Sequence, residues 1–551
     1  MKNKLYIYFA LFIISCGYES TCEELILKPE TPKDNDKKYI ISLSNYDEED
    51  PKPQEFSNQD FIPANSNVTF LVTDIPKFIS FIIFQIHSFQ SNVTLSYSEK
   101  VSVSNDSISG SNIGLYYNTN GKSSINMYVL NNNNKTVEAL FVVLSYKNDA
   151  PIPGGCNMEF NMEISPFQKV FVTNSMIFVD AQASSAPIKK QNISCDKNLI
   201  EHDAYHFFLP GQDFTSETYF SAIKKLLTPE NIMRNGVKIP KSLIGSSMRR
   251  VYSAYPGVGS VYAMVATYKN QSAAYVPSFT YGCSSNSLDD CGSMLPNALS
   301  KTVCALMIIL GGYLMFNGHM TPNGTIFIFS CLGGGLVGYI LSIVAGTLDP
   351  SNTIWIAIGS GLLFALLWQI LSCCFCGGTS RIFSNIFLAF FFFCIVYYKL
   401  PDRALPFEND FYFSAFLFAI TLLLFILISI TVCLSGVLCC SILGSYLLIV
   451  ALDYYIGSTL KYIIINVIRR ITISGFDVAI ISPPFGTQEI TLTVFWVIFA
   501  SISVLIQMKI CCGKSGYLTI PVGYRDNSGN VHFAPWRDNF RAHRNLRRMY
   551  R

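Results

Sequence analysis

His202-Asp203-x-x-His206 is the cluster in this chain whose residue types could hold a metal ion. On a helix, histidines at i and i+4 would share a face and could grip zinc. The flanking Ala204-Tyr-His-Phe-Phe-Leu-Pro210 reads as a strand instead, which separates the rings along one edge, and a supported third ligand is missing. The residues therefore predict no metal and no cofactor. No Ser/His/Asp arrangement and no Gly-rich phosphate loop stands out elsewhere. Within the apolar segments described below, the carboxylate is Asp453, and Arg469 and Arg470 follow closely enough to pair with it at the membrane surface. A lone carboxylate makes no proton relay, and Gln369 and Asn385 add no continuous polar path. An enzyme is the class with least support, and a proton-coupled carrier is disfavoured.

A second set of residues points to covalent modification. Asn-x-Ser/Thr acceptors stand at Asn67, Asn92, Asn105, Asn134, Asn192 and Asn270, all ahead of the first long apolar run. A seventh, Asn323, falls in the first interhelical loop and is expected to go unused. The same front region holds Cys22, Cys156, Cys195, Cys283 and Cys291, an odd number that allows two internal disulfides and leaves one thiol over. Cys283–Cys291 would close a short loop and Cys156–Cys195 a longer one, but spacing alone leaves the pairing open.

The elements that must carry these residues fall into three regions. Residues 1–17 have a basic start (Lys2, Lys4), a short apolar run and small residues at Ser15-Cys16-Gly17, the pattern of a signal peptide. Residues 18–297 carry short runs rich in Val, Ile, Phe and Tyr: Val68–Thr73, Ile79–Ile86, Ser124–Leu130, Val137–Tyr146, Met158–Ile164 and Val261–Tyr268. Asp149–Gly155 breaks that pattern, so tandem β-sandwich-like modules over 18–150 and 151–297 are expected, with one helix near Ser216–Leu227 capped by Thr215 or Ser216.

Residues 298–508 then hold seven apolar stretches: Ala298–Phe316, Thr325–Gly346, Ile354–Phe375, Ile382–Tyr398, Phe411–Cys433, Val437–Tyr455 and Ile490–Met508. Each approaches the ~17–25 residues that a helix needs to cross a bilayer, where a bare backbone finds no partner. The fold class is thus a multi-domain membrane protein, a β-rich front followed by a seven-helix bundle. Gly334, Gly338, Ser342 and Gly346, with Ala357, Gly361 and Ala365, recur at four-residue intervals and predict close packing within the bundle, with self-association as the alternative. The basic residues of Ser458–Ile473 lie among apolar ones and suggest a helix in the membrane interface.

The tail, residues 509–551, carries nine Lys and Arg against two Asp, which places it on the cytoplasmic side and the front region outside. Arg537, Arg541, Arg544, Arg548 and Arg551 form a helical stripe suited to anionic lipid; a nucleic-acid partner is not expected for a tethered tail.

The last two spans carry a fixed series: Gly444-Ser445-Tyr446, Asp453-Tyr-Tyr455, Leu460, Tyr462, Asn466-Val467, Arg469-Arg470, Phe476, Pro484-Phe485 and Trp496. This resembles the transmembrane 7 superfamily member 3 family, whose membrane domain is shared with transmembrane protein 198. The resemblance implies a plasma-membrane or secretory-pathway glycoprotein without an established catalytic activity, linked in animals with cell survival and stress responses. The short basic tail departs from the longer tail of that family. A receptor-like or adaptor role with an extracellular partner fits best, and a transporter or channel near Asp453 is the alternative. A G-protein-coupled receptor is disfavoured, since no Asp-Arg-Tyr follows the third span and no Asn-Pro-x-x-Tyr ends the seventh.

Overall fold

The computed structural model describes residues 38–48, 53–99, 107–156, 166, 168–190, 195, 199–241, 248–283, 291, 298–345, 350–374, 379–399, 409–430, 434–514, 523–525 and 531–533. The expected signal peptide, Cys22, Asn105, Asn192, the strand Met158–Ile164, Gly346 and the arginine stripe from Arg537 lie outside these residues.

Nine strands form the first domain: β1 (Lys38–Ser42), β2 (Gln54–Ile62), β3 (Ser66–Thr73), β4 (Ile79–Ser88), β5 (Val93–Ser96), β6 (Ser107–Gly110), β7 (Asn112–Asn118), β8 (Ile125–Asn131) and β9 (Val137–Lys147). They pack as two sheets, β1-β3-β8-β5-β6 and β2-β9-β4-β7. β3 alternates buried and half-buried residues, as a strand with one covered face must. β4 and β9 are apolar on both faces, because each face meets a different core. Ile82, Phe84, Phe141 and Val143 point into the sandwich. Phe81, Ile83, Leu140 and Val142 point the other way, into a core shared with the second domain.

That second domain comprises β10 (Ile152–Cys156), β11 (Lys169–Val172), β12 (Met176–Asp180), β13 (Ala183–Ser185), β14 (Glu201–Gly211), β15 (Val237–Ile239), β16 (Arg249–Ser253), β17 (Val258–Tyr268), β18 (Gln271–Ala274) and β19 (Ser278–Thr280). Its largest sheet runs β15-β14-β17-β18, with β19 also on β17; β11-β12-β16 and β10-β13 complete it. Between β14 and β15 stand two short helices, Ser216–Lys224 and Pro229–Asn235. Thr215 and Thr228 cap them by accepting the amides of Thr218 and Asn231. The tie to the first domain is polar as well as apolar: Tyr146 Oη accepts the Ala274 amide at 3.1 Å, and Tyr219 donates to Asn112 at 2.7 Å.

Seven helices among the described residues are long and apolar enough to cross a membrane. They are Ala298–Asn317, Pro322–Val344, Pro350–Cys374, Thr379–Lys399, Asp410–Ile430, Ser435–Ile456 and Thr487–Lys514. The sixth is the axis of the bundle: the first, fourth and seventh pack around it, the second and third pair beside the fourth, and the fifth leans on the fourth. A shorter helix, Tyr462–Thr472, joins the sixth span to the seventh. In the tail, β20 (Gly523–Arg525) pairs with β21 (Val531–Phe533).

Candidate functional site

Three buried charges, Asp453, Lys461 and Glu489, gather where the sixth span ends. Gly457 closes that helix at φ +84°, a left-handed turn that a side chain resists, and its amide returns to the Asp453 carbonyl at 2.7 Å. The turn brings Lys461 back over Asp453. The Lys461 amide donates to Asp453 Oδ2 at 2.7 Å, its Nζ stands 3.9 Å from Oδ1, and Nζ donates to the Ser458 carbonyl at 2.7 Å. Tyr454 and Tyr462 flank the ammonium at 5.2 and 5.5 Å from their ring centres. Glu489, in the first turn of the seventh span, accepts the Gly486 amide at 2.9 Å and, at 3.3 Å each, the amide and hydroxyl of Thr459. Its return to Gly486 is half of a capping box, and it pins the sixth-span turn to the start of the seventh. Asp453, Lys461 and Glu489 are all buried.

The sequence points to a helix within Ser458–Ile473, and one forms over Tyr462–Thr472. It is covered by the second β-domain. Arg469 donates to the Ala254 carbonyl at 2.8 Å and to Ser253 Oγ at 3.1 Å. Ser253 in turn donates to Asn466 Oδ1 at 3.0 Å, a contact across 213 residues of chain. Tyr255 meets Tyr462 edge to face at 4.9 Å. Beyond this helix the chain adds itself to β16: the Ser253 amide donates to the Ile480 carbonyl at 3.0 Å and the Ile480 amide to the Val251 carbonyl at 2.9 Å. Tyr255 and Val258 thereby enter the same apolar core as Phe391, Tyr446 and Val467 of the membrane region.

The expected pairing of Asp453 with Arg469 and Arg470 is therefore corrected. The tight turn at Gly457 delivers Lys461 first, Arg469 goes to the β-domain, and Arg470 reaches Asp410 at 2.6 Å at the start of the fifth span. Glu489 escaped the sequence reading because it stands just ahead of an apolar run; its signal was an acidic residue in a helix's first turn.

The other expected residues are placed as follows. His202 and His206 both lie on β14, opposite Ala266 and Tyr262 of β17. His202 Nε2 accepts the Ser184 amide at 3.0 Å, and the His206 ring packs 4.6 Å from Phe208. Burial holds both imidazoles down at about 4, with the charges of Lys241 and Arg250 adding to the effect at His202. Among the described residues, no group of three or more His, Cys, Asp or Glu is placed to hold a metal ion. Disulfides join Cys156 to Cys195 and Cys283 to Cys291, with Cα atoms 6.0 and 5.7 Å apart. Asn92, Asn134 and Asn270 are exposed; Asn67 is half-buried on β3 and donates to the Glu99 carbonyl at 3.3 Å.

Gly334, Gly338, Ser342, Ala357, Gly361 and Ala365 stand on the paired second and third spans. A methyl on Gly361 would come within 2.6 Å of the Cys331 carbonyl, and one on Gly334 or Gly338 would strike Phe364 or Ser360. A second close approach, not singled out from the sequence, joins Gly311 of the first span to Gly444 of the sixth.

Comparison with known proteins places these parts together. Residues 48–146 match the TM7SF3-like N-terminal immunoglobulin-like domain, residues 151–286 the TM7SF3-like second immunoglobulin-like domain, and residues 304–508 the TM7S3/TM198-like domain. The protein called transmembrane 7 superfamily member 3 of Homo sapiens is 26% identical over 462 residues, covering 80% of this chain and 79% of its own. Its counterparts in Rattus norvegicus and Mus musculus are each 27% identical over 454 residues, covering 78% of both chains.

Proposed function

Because this chain belongs to the transmembrane 7 superfamily member 3 family of seven-span membrane proteins, we propose that it is a non-enzymatic, receptor-like or adaptor glycoprotein. In this reading the two immunoglobulin-like domains face the outside and engage a protein or other extracellular ligand. The bundle anchors them and the basic tail lies in the cytoplasm, held against anionic lipid by its arginines. The residence is the plasma membrane or the secretory pathway. A role in cell survival and stress responses rests on the family resemblance alone.

The observation that carries the relay is the seat of the second domain. Arg469, Asn466 and Ile480 of the segment between the last two spans bond directly to Val251, Ser253 and Ala254. Lys461 of that segment pairs with Asp453 of the axial sixth span, so a force on the outer domains reaches that span through few intermediates. Hydrogen exchange over residues 453–489 in nanodiscs, with and without an antibody fragment on the first domain, tests it. Altered exchange supports a relay. Unchanged exchange, together with ion flux through reconstituted liposomes that Asp453→Asn abolishes, would favour the transporter alternative.

A further inference from the structure

Among the described residues, six of the nine cysteines between residues 298 and 514 sit at the span ends facing away from the β-domains: Cys373, Cys374, Cys439, Cys440, Cys511 and Cys512. Helix packing divides them. Cys439 and Cys440 begin the axial sixth span and are buried, the first donating to Asn385 Oδ1 at 3.3 Å and the second lying against Gly318. Cys373 and Cys374 end the third span, and Cys511 and Cys512 stand in the last turns of the seventh. Both are peripheral helices whose apolar side chains face outward down to that end: Ile370 and Leu371 in the third, Leu505 and Met508 in the seventh. Cys374 follows Ile370 by four residues and Cys512 follows Met508 by four, the spacing of one helical face.

We propose that Cys373, Cys374, Cys511 and Cys512 are acceptors for long-chain S-acylation. A thiol at the edge of a lipid-facing helix can pass its acyl chain directly into the bilayer beside that helix, and juxtamembrane cysteines are the usual substrates of this modification. The donor is a fatty acyl-coenzyme A. The cysteine sulfur attacks the thioester carbonyl, a new carbon–sulfur bond forms as the bond to coenzyme A breaks, and the thiol proton leaves with the coenzyme A thiolate. No oxidation or reduction occurs. Lys509 and Lys514 bracket the second pair, so acyl chains and basic residues would hold the start of the tail on the same anionic leaflet. The inference rests on the cytoplasmic tail proposed above, because acyl-coenzyme A is cytosolic.

The test is an acyl-exchange assay on the full chain in eukaryotic membranes: free thiols are blocked, thioesters are cleaved with hydroxylamine, and the released thiols take a mass-tagged maleimide. Hydroxylamine-dependent tags are expected, two lost in C373S/C374S, two in C511S/C512S and none in C439S/C440S. Tags that survive both double substitutions, or thiols at these four positions that are already free or freed only by a reductant, overturn the proposal. A membrane-impermeant maleimide applied before blocking separates the two readings. Labelling of Cys511 or Cys512 in intact cells overturns the tail placement, whereas labelling only after permeabilisation leaves the tail inside and overturns acylation alone.

Discussion

Asp453 and Lys461 are buried together, and each leaves the other exposed to a penalty if removed singly. Asp453→Asn should lower stability by about 3 kcal/mol, because it strands an ammonium in an apolar joint. Lys461→Met in the same chain should recover much of that loss in a thermal-unfolding assay in detergent. Additive losses from the two changes would show that the pair is not coupled. Glycan occupancy is also decided residue by residue. Asn92, Asn134 and Asn270 are exposed, whereas the Asn67 side chain is half-buried and committed to Glu99. Substituting Gln for each exposed Asn should remove one glycosidase-sensitive step on a gel, and Asn67→Gln should remove little or none. Full occupancy of Asn67 alone would contradict this reading of the strand.

The elements differ in how openly the sequence announces them. Lipid forbids an unpaired backbone, so the membrane helices had to be long apolar runs, and their number was readable. β3, β4, β8 and β9 were visible because each buries at least one apolar face. β2 was not visible: Gln54–Ile62 is QEFSNQDFI, an edge strand held by its ladder to β9 while most of its side chains face water. Which spans meet was also hidden, since glycines in the first and sixth spans carry no regular interval. Their closeness is nonetheless decisive. A methyl on Gly444 would come within 3.0 Å of the Met315 amide nitrogen, while one on Gly312 would meet nothing within 4 Å. Gly444→Ala is therefore expected to cost about 1–3 kcal/mol through overpacking. Gly312→Ala should leave the melting temperature in detergent unchanged. Equal melting of the two variants would mean that the first and sixth spans are not packed this closely.

Across the whole molecule, the front half carries an acid sensitivity. Burial depresses His87, His202 and His206 to about 4 each, below the ordinary histidine value of 6.5. The unfolded chain therefore takes up protons first as pH falls below 6.5, and stability drops until the folded imidazoles titrate near 4. At pH 5 the loss should be on the order of 2 kcal/mol for each ring. Thermal unfolding followed at pH 7.5, 6 and 5 should show a falling midpoint. A midpoint that stays constant across this range would mean that the rings are not held neutral.

The seat of the second domain also imposes an order on biosynthesis. Tyr255 and Val258 leave the ribosome long before Tyr462, Asn466 and Arg469, to which the domain must attach. Domains made first generally fold first. The second domain must then wait, its apolar underside uncovered, while six helices are threaded into the bilayer. A chaperone that recognises such a face would hold every unfinished chain and release it only when the last loop arrives, so a nonsense codon after the fifth span should yield a protein retained by quality control even though both front domains are intact.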